Sequence, residues 1–250
     1  MKVLIIDDRK EDRDSLVDLL RAYDYDVDAV AGGAEGLEYL KKHEADVVLL
    51  DIVMQDRAGI EILKDIKAFN PDQDVVLITA YATLERAIEG LREGAYDFLK
   101  KPFANDELFI SLDRVRQKRL MEKRLRESEA FLESILNGIG DAVVVIDRDF
   151  RILKANKRYA EQTHFLLYEI VGKHCYEVSH HFSRPCYEMD EDCSVKKAFE
   201  DGRHHKVIHK HKTKEKGEIV VETNSYPLFD AEGNIYAVVE TIEDITDIKS

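Results

Sequence analysis

The chain has 250 residues, 44% of them hydrophobic, and its 37 basic against 51 acidic side chains leave a formal charge of −14. That length and apolar content suit two domains with real cores, while the acidic balance argues against a nucleic-acid surface, which needs clustered lysine and arginine. No apolar run reaches the roughly 18 residues of a membrane helix, the N-terminal run is too short for a secretion signal, and three cysteines suit reduced thiols or metal ligands better than a disulfide framework. The expected location is the cytoplasm, with no membrane and no nucleic-acid partner.

Residues 1–104 alternate short apolar runs, at 3–6, 25–31, 47–50, 75–78 and 96–99, with amphipathic stretches at 11–23, 34–43, 58–69 and 84–93. Five strands alternating with helices predict an α/β, doubly wound parallel sheet covered on both faces. Residues 47–50 and 75–78 are apolar throughout, as central strands should be, whereas 25–30 alternate and suit an edge.

Residues 104–139 hold no Gly or Pro before Gly138 and predict one long helix of mixed charge. Leu108, Leu112 and Val115 are expected to pack on the first sheet. Met121, Leu125, Ser128, Leu132, Ile135 and Ile139 then follow the spacing of a coiled-coil seam, which favours a homodimer slightly over a helix lying on the next domain.

From residue 140 to 248 the pattern changes. Two strands at 142–146 and 151–155 precede helix-prone sequence to about 201. Three strands follow, at 206–212, 218–226 and 235–242, with turns at 214–217 and 230–234. This predicts an α+β antiparallel-sheet domain joined to the first by the long helix at 105–139.

In an open parallel sheet the carboxyl ends of the strands share one edge, where ligands bind. Asp7-Asp8, Asp51, Thr79-Ala80 and Lys100-Lys101-Pro102 all follow strands, so three carboxylates, a hydroxyl and an ammonium are expected to converge. Clustered carboxylates repel, and a hard divalent cation, Mg²⁺ first, resolves this. It would also neutralise a phosphoryl group arriving at a carboxylate. Strand capping alone would explain a single terminal Asp, but not five such positions.

Those positions lie within Val3-Leu4-Ile5-Ile6-Asp7-Asp8, Leu49-Leu50-Asp51-Ile52-Val53-Met54, Gly59, Ile78-Thr79-Ala80 and Gly94 to Phe103. On these motifs residues 1–120 resemble a response-regulator receiver domain. The resemblance implies that Asp51 accepts a phosphoryl group from a histidine kinase or phosphotransfer protein, with no enzyme turnover of its own. Asp7, Asp8, Asp51 and the Val53 carbonyl would hold Mg²⁺, Lys101 would pair with the phosphate, and Thr79 and Phe98 would be the switch pair. Gln55 stands where the family usually has proline, a change read as altering a turn and touching no chemistry. Aspartate-nucleophile hydrolases usually carry a second Asp two residues on, where this chain has Val53.

Residues 141–248 resemble a PAS domain, through Asp141 to Asp147, Ile152 to Asn156 with Tyr159, Gly172-Lys173 and the terminal Glu243-Asp244-Ile245-Thr246-Asp247. All three cysteines and eight of nine histidines fall between Cys175 or His164 and His211. A metal or iron–sulfur site from Cys175, His180 or His181, Cys186 and Cys193 is one reading. No CxxC pair exists, and buried cysteines with a His-rich surface strand bearing His205, His209 and His211 on one face is the plainer one. A flavin adduct at Cys175 or a haem on one histidine is weaker. Two further readings stand beside a phosphorelay protein: the front of a longer histidine kinase, and a PAS ligand sensor that the receiver only modulates.

Overall fold

The computed structural model describes residues 1–80, 84–213 and 217–246. The chain divides into two compact units, Met1–Leu125 and Arg126–Ser250. The first runs β1 (Lys2–Ile6), α1 (Lys10–Ala22), β2 (Asp26–Val30), α2 (Gly33–Lys42), β3 (Val47–Asp51), α3 (Gly59–Phe69), β4 (Asp74–Thr79), α4 (Leu84–Arg92), β5 (Asp97–Lys100) and α5 (Asn105–Gly138). Its strands are all parallel, in the order β2-β1-β3-β4-β5. Every residue of β3 and β4 is buried, which explains the apolar runs at 47–50 and 75–78, while β2 at the edge buries only Val27 and Val30 of its five residues.

Two apolar clusters cover the sheet, one around Leu50, Leu63 and Leu77, the other around Ile5, Leu49 and Leu112. Leu108, Leu112 and Val115 of α5 are fully buried in the second, as their spacing predicts. Ion pairs fix the same helix near the start of β4: Lys118 Nζ lies 2.6 Å and Arg119 Nε 3.0 Å from the buried Asp74 carboxylate. Beyond that turn the seam is exposed, with Met121 at 67%, Leu125 at 60% and Leu132 at 53%.

The second unit continues with β6 (Ala142–Asp147), β7 (Ile152–Ala155), α6 (Lys157–Thr163), α7 (Leu167–Ile170), α8 (Cys175–Ser179), a single 3₁₀ turn (Cys186–Glu188), α9 (Ser194–Asp201), β8 (His205–Thr213), β9 (Gly217–Phe229) and β10 (Ile235–Asp244). The antiparallel order is β7-β6-β10-β9-β8. The predicted turn at 230–234 forms: Asp230 Oδ1 accepts from the backbone N–H of Glu232 at 3.0 Å and of Asn234 at 2.8 Å. Residues 214–216 of the turn predicted at 214–217, and the last residue of the Asp-Ile-Thr-Asp motif, lie outside the described residues.

Asn156 is the local organiser of this unit. Its Oδ1 accepts from Tyr159 N at 2.9 Å, capping α6, and from Val143 N at 2.9 Å in β6. Its Nδ2 donates to Leu136 O at 3.0 Å, in the last turn of α5, and to Asp141 O at 2.9 Å. Two donors and two lone pairs are all used.

Candidate functional site

Where the strand order reverses, β1 and β3 lie side by side, and the loops after them splay apart to leave a crevice. Asp7, Asp8 and Asp51 sit there. Lys101 Nζ, just after β5, lies 2.7 Å from Asp7 Oδ2, 2.9 Å from Asp51 Oδ2 and 2.8 Å from Asp12 Oδ2. Asp7 is 2% and Asp51 5% exposed, so the ammonium faces two buried carboxylates and, on its outer side, the partly exposed Asp12. Burial alone would lower the Lys101 pKa, but hydrogen bonds to Asp12, Asp7 and Asp51 outweigh it and hold the group charged. Burial pushes the Asp7 carboxyl above its ordinary range, with Lys101 pulling the other way, and the Lys101 hydrogen bond lowers Asp12.

Thr79 ends β4 with its side chain fully buried, and its carbonyl accepts from Lys101 N at 2.7 Å, which ties the lysine to the strand end. Val53 N donates to Asp51 Oδ1 at 2.9 Å, orienting the carboxylate. Phe98, on β5, is half-buried against the cluster around Leu63. The structure thus brings Asp7, Asp51, Thr79 and Lys101 together as the strand ends require.

Asp8 provides the test of fit for a magnesium ion. Its Oδ2 accepts from Gln55 N at 2.8 Å, but its buried Oδ1 has no hydrogen-bond partner. An orphaned buried carboxylate oxygen beside two further carboxylates is the donor chemistry a hard cation takes. The Gln55 contact corrects the sequence reading: this position does touch the site, through a backbone N–H that proline would lack.

A second group of reactive side chains lies in the other unit. Cys175, Cys186 and Cys193, all buried free thiols, line one small cavity with His180, Ser179 and Val195. His209 and His211 from β8 and Glu240 from β10 close it. Cys186 and Cys193 share a hydrogen bond, which raises the first and lowers the second, and Lys196 N donates to Cys193 Sγ at 3.4 Å. Burial holds Cys175 protonated, and burial with the neighbouring His180 and His209 holds His211 neutral. Of the set expected from sequence, His181 does not belong. It adopts a left-handed backbone (φ 57°), is exposed, and turns its ring edge to Phe165.

A family model of the response regulator receiver domain matches residues 3–113, and one of the PAS fold matches residues 136–249. The transcriptional regulatory protein DltR of Streptococcus agalactiae is 31% identical over 171 residues, covering 65% of this chain and 75% of DltR. The chain belongs to the response regulator receiver family. The transcriptional regulatory protein ZraR of Klebsiella oxytoca is 38% identical to this response regulator over 129 residues, 51% of the chain but 29% of ZraR. The chain therefore spans less than a third of that relative. Among solved structures, the receiver domain of the Francisella response regulator 1452 is 30% identical with a TM-score of 0.45, covering 47% of this chain and 98% of that one. No helix among the described residues is long and apolar enough to cross a membrane.

Two features of the response regulator were missed in its sequence. Nothing in the sequence marks out Asp12, an acid in the first turn of α1, yet it reaches Lys101. His209 and His211 were placed on one strand face but left out of the cysteine set that they join.

Proposed function

We propose that this response regulator accepts a phosphoryl group on Asp51 from a phosphohistidine of a histidine kinase or phosphotransfer protein. The state of Asp51 would then pass through α5 to the PAS domain. The observation that carries the reading is the Lys101 ammonium 2.9 Å from the buried Asp51 carboxylate at the switch point of the sheet. In the step, an Asp51 oxygen bonds to phosphorus as the phosphorus–nitrogen bond of the donor breaks, and the departing imidazole keeps the electron pair and takes a proton. Lys101 would leave its carboxylate partners and pair with the new phosphoryl oxygens, and the Thr79 hydroxyl would donate to one of them. Asp7, Asp8, Asp51 and the Val53 carbonyl would hold Mg²⁺, which when bound supplies positive charge against phosphoryl–carboxylate repulsion.

The chain acts here as an acceptor in the cytoplasm rather than as a turnover enzyme. The exposed seam of α5 supports pairing with a second copy through a coiled coil. A link to transcription, carried by the names of the relatives, belongs to the same proposal and replaces the flat exclusion of nucleic acid drawn from charge alone.

Acetyl phosphate carrying a radioactive phosphoryl group, with Mg²⁺, should label the wild-type chain with an acid-stable, hydroxylamine-sensitive bond. The isosteric Asp51→Asn should take up no such label. Label retained on Asp51→Asn overturns the assignment.

A further inference from the structure

Three imidazoles meet in the cavity of the second unit. One ring nitrogen from each of His180, His209 and His211 lies within 4.8 Å of the other two. Strand alternation puts His209 and His211 on the same face of β8, with their Nε2 atoms 2.9 Å apart. His180 follows α8 and sets its ring nearly perpendicular to both, at centroid distances of 4.6 Å from His211 and 5.0 Å from His209. His180 and His211 are each 4% exposed.

The tautomer of His209 is selected from outside the cluster. Its Nδ1 lies 3.0 Å from the Asp192 carbonyl oxygen, which can only accept. In the neutral ring Nδ1 therefore keeps the proton, and the Nε2 lone pair is then turned to His211. A backbone carbonyl on the far nitrogen is how metal-binding histidines are commonly oriented. The whole cavity shared by these rings, the three thiols and Glu240 holds about 10 Å³, room for one ion or water and not for a flat organic cofactor.

We propose that His180, His209 and His211 bind one borderline divalent transition-metal ion, of which zinc is the type, with the fourth position facing the thiols of Cys175, Cys186 and Cys193. Imidazole nitrogen suits zinc, copper, iron and nickel rather than magnesium. Zinc–nitrogen bonds of about 2.0–2.1 Å in a tetrahedron separate ligand nitrogens by roughly 3.3 Å; the His209 and His211 nitrogens lie 2.9 Å apart, and all three lie within 4.8 Å of one another. The rival arrangement is a dry imidazole cluster in which His211 Nε2–H donates to His209 Nε2. The site is independent of the phosphoryl chemistry, since no residue of it lies in the receiver.

The test uses the full chain, stripped with chelator and kept reduced, with Zn²⁺ titrated against a competing chelator in excess Mg²⁺, which occupies the receiver carboxylates. Uptake of one Zn²⁺ per chain is expected, with Co²⁺ giving the visible bands of a tetrahedral ion. His209→Ala and His180→Gln should each weaken binding about tenfold or more, and the exposed His181→Ala should leave it unchanged. In the wild-type chain, the imidazole nitrogen resonances of His209 and His211 should shift and saturate at one equivalent of Zn²⁺. No stoichiometric uptake, uptake that both variants retain, or unmoved wild-type resonances overturns the proposal, and the last needs no variant to fold.

Discussion

A β-carbon placed on Gly59 would sit 2.2 Å from the Asp51 carbonyl oxygen. It would also lie 2.7 Å from the Ile52 Cα, so both obstacles are backbone and neither can rotate away. Helix α3 thus starts against the end of the strand that carries Asp51, an approach that only glycine permits. Gly59→Ala should cost about 1–3 kcal/mol as strand and helix are forced apart, read as a lower urea midpoint. It should also slow acetyl-phosphate labelling of Asp51. An unchanged midpoint would mean that the chain relaxes there freely.

Removing the ammonium from the acidic crevice leaves three carboxylates facing one another. Lys101→Ala should lose about 3 kcal/mol or more of stability in EDTA, the scale for stranding a buried charge. Mg²⁺ should restore part of that loss, because it would act on two of those three carboxylates, Asp7 and Asp51. A loss equal in EDTA and in Mg²⁺, by urea titration, would show that Asp7, Asp8 and Asp51 do not hold the cation.

Glu240 predicts a pH dependence in the second unit. Ser194 Oγ donates to its Oε1 at 2.8 Å and Ser225 Oγ at 3.3 Å, yet burial dominates and raises its pKa, with His209 and the two hydroxyls opposing. The folded chain therefore holds this proton more tightly than the unfolded chain. Its contribution is full below the ordinary glutamate pKa of about 4.3 and is lost as pH rises through the higher folded value. Glu240→Gln keeps the acceptor without the charge. In EDTA its thermal midpoint should exceed wild type at pH 7.5, and the difference should close below about pH 4.3. A difference independent of pH would place the effect in packing.

The seam of α5 makes a separate prediction. Leu125, Leu132 and Ile135 are 60%, 53% and 46% exposed, so a charge there meets water in a single chain and another apolar side chain in a pair. Leu132→Glu should convert a dimer to a monomer by sedimentation velocity. The unfolding of an isolated chain should move by no more than about 0.5 kcal/mol. A mass unaffected by the substitution would remove the coiled coil.

The receiver was legible because its chemistry depends on strand ends, and parallel strands place all their carboxyl ends on one edge. Asp7, Asp8, Asp51, Thr79 and Lys101 could be assembled from that rule before any coordinates. Asp12 could not, because an acid in the first turn of an amphipathic helix looks the same whether it faces water or a lysine. Gln55 was misjudged because the sequence advertises its side chain, while the contact to Asp8 is made by its backbone N–H. In the second unit the succession of two strands, a helical stretch and three strands, and the turn at Asp230, followed from pattern; the order of those strands in the sheet did not. The histidine cluster did not: alternation on β8 pairs His209 with His211, but His180 arrives from the end of a short helix elsewhere in the chain, and only the packing of α8 on β8 aims it there.

The amide of Asn156 sets how motion in the last turn of α5 can be received. With both its protons and both its lone pairs committed, that side chain has no slack to follow a gradual rotation of the helix. Pulling Leu136 away strands a nearly buried N–H at a cost of about 1–3 kcal/mol, so the joint holds until it lets go. A stimulus arriving along this helix would be delivered to the sheet as a step, with intermediate settings penalised.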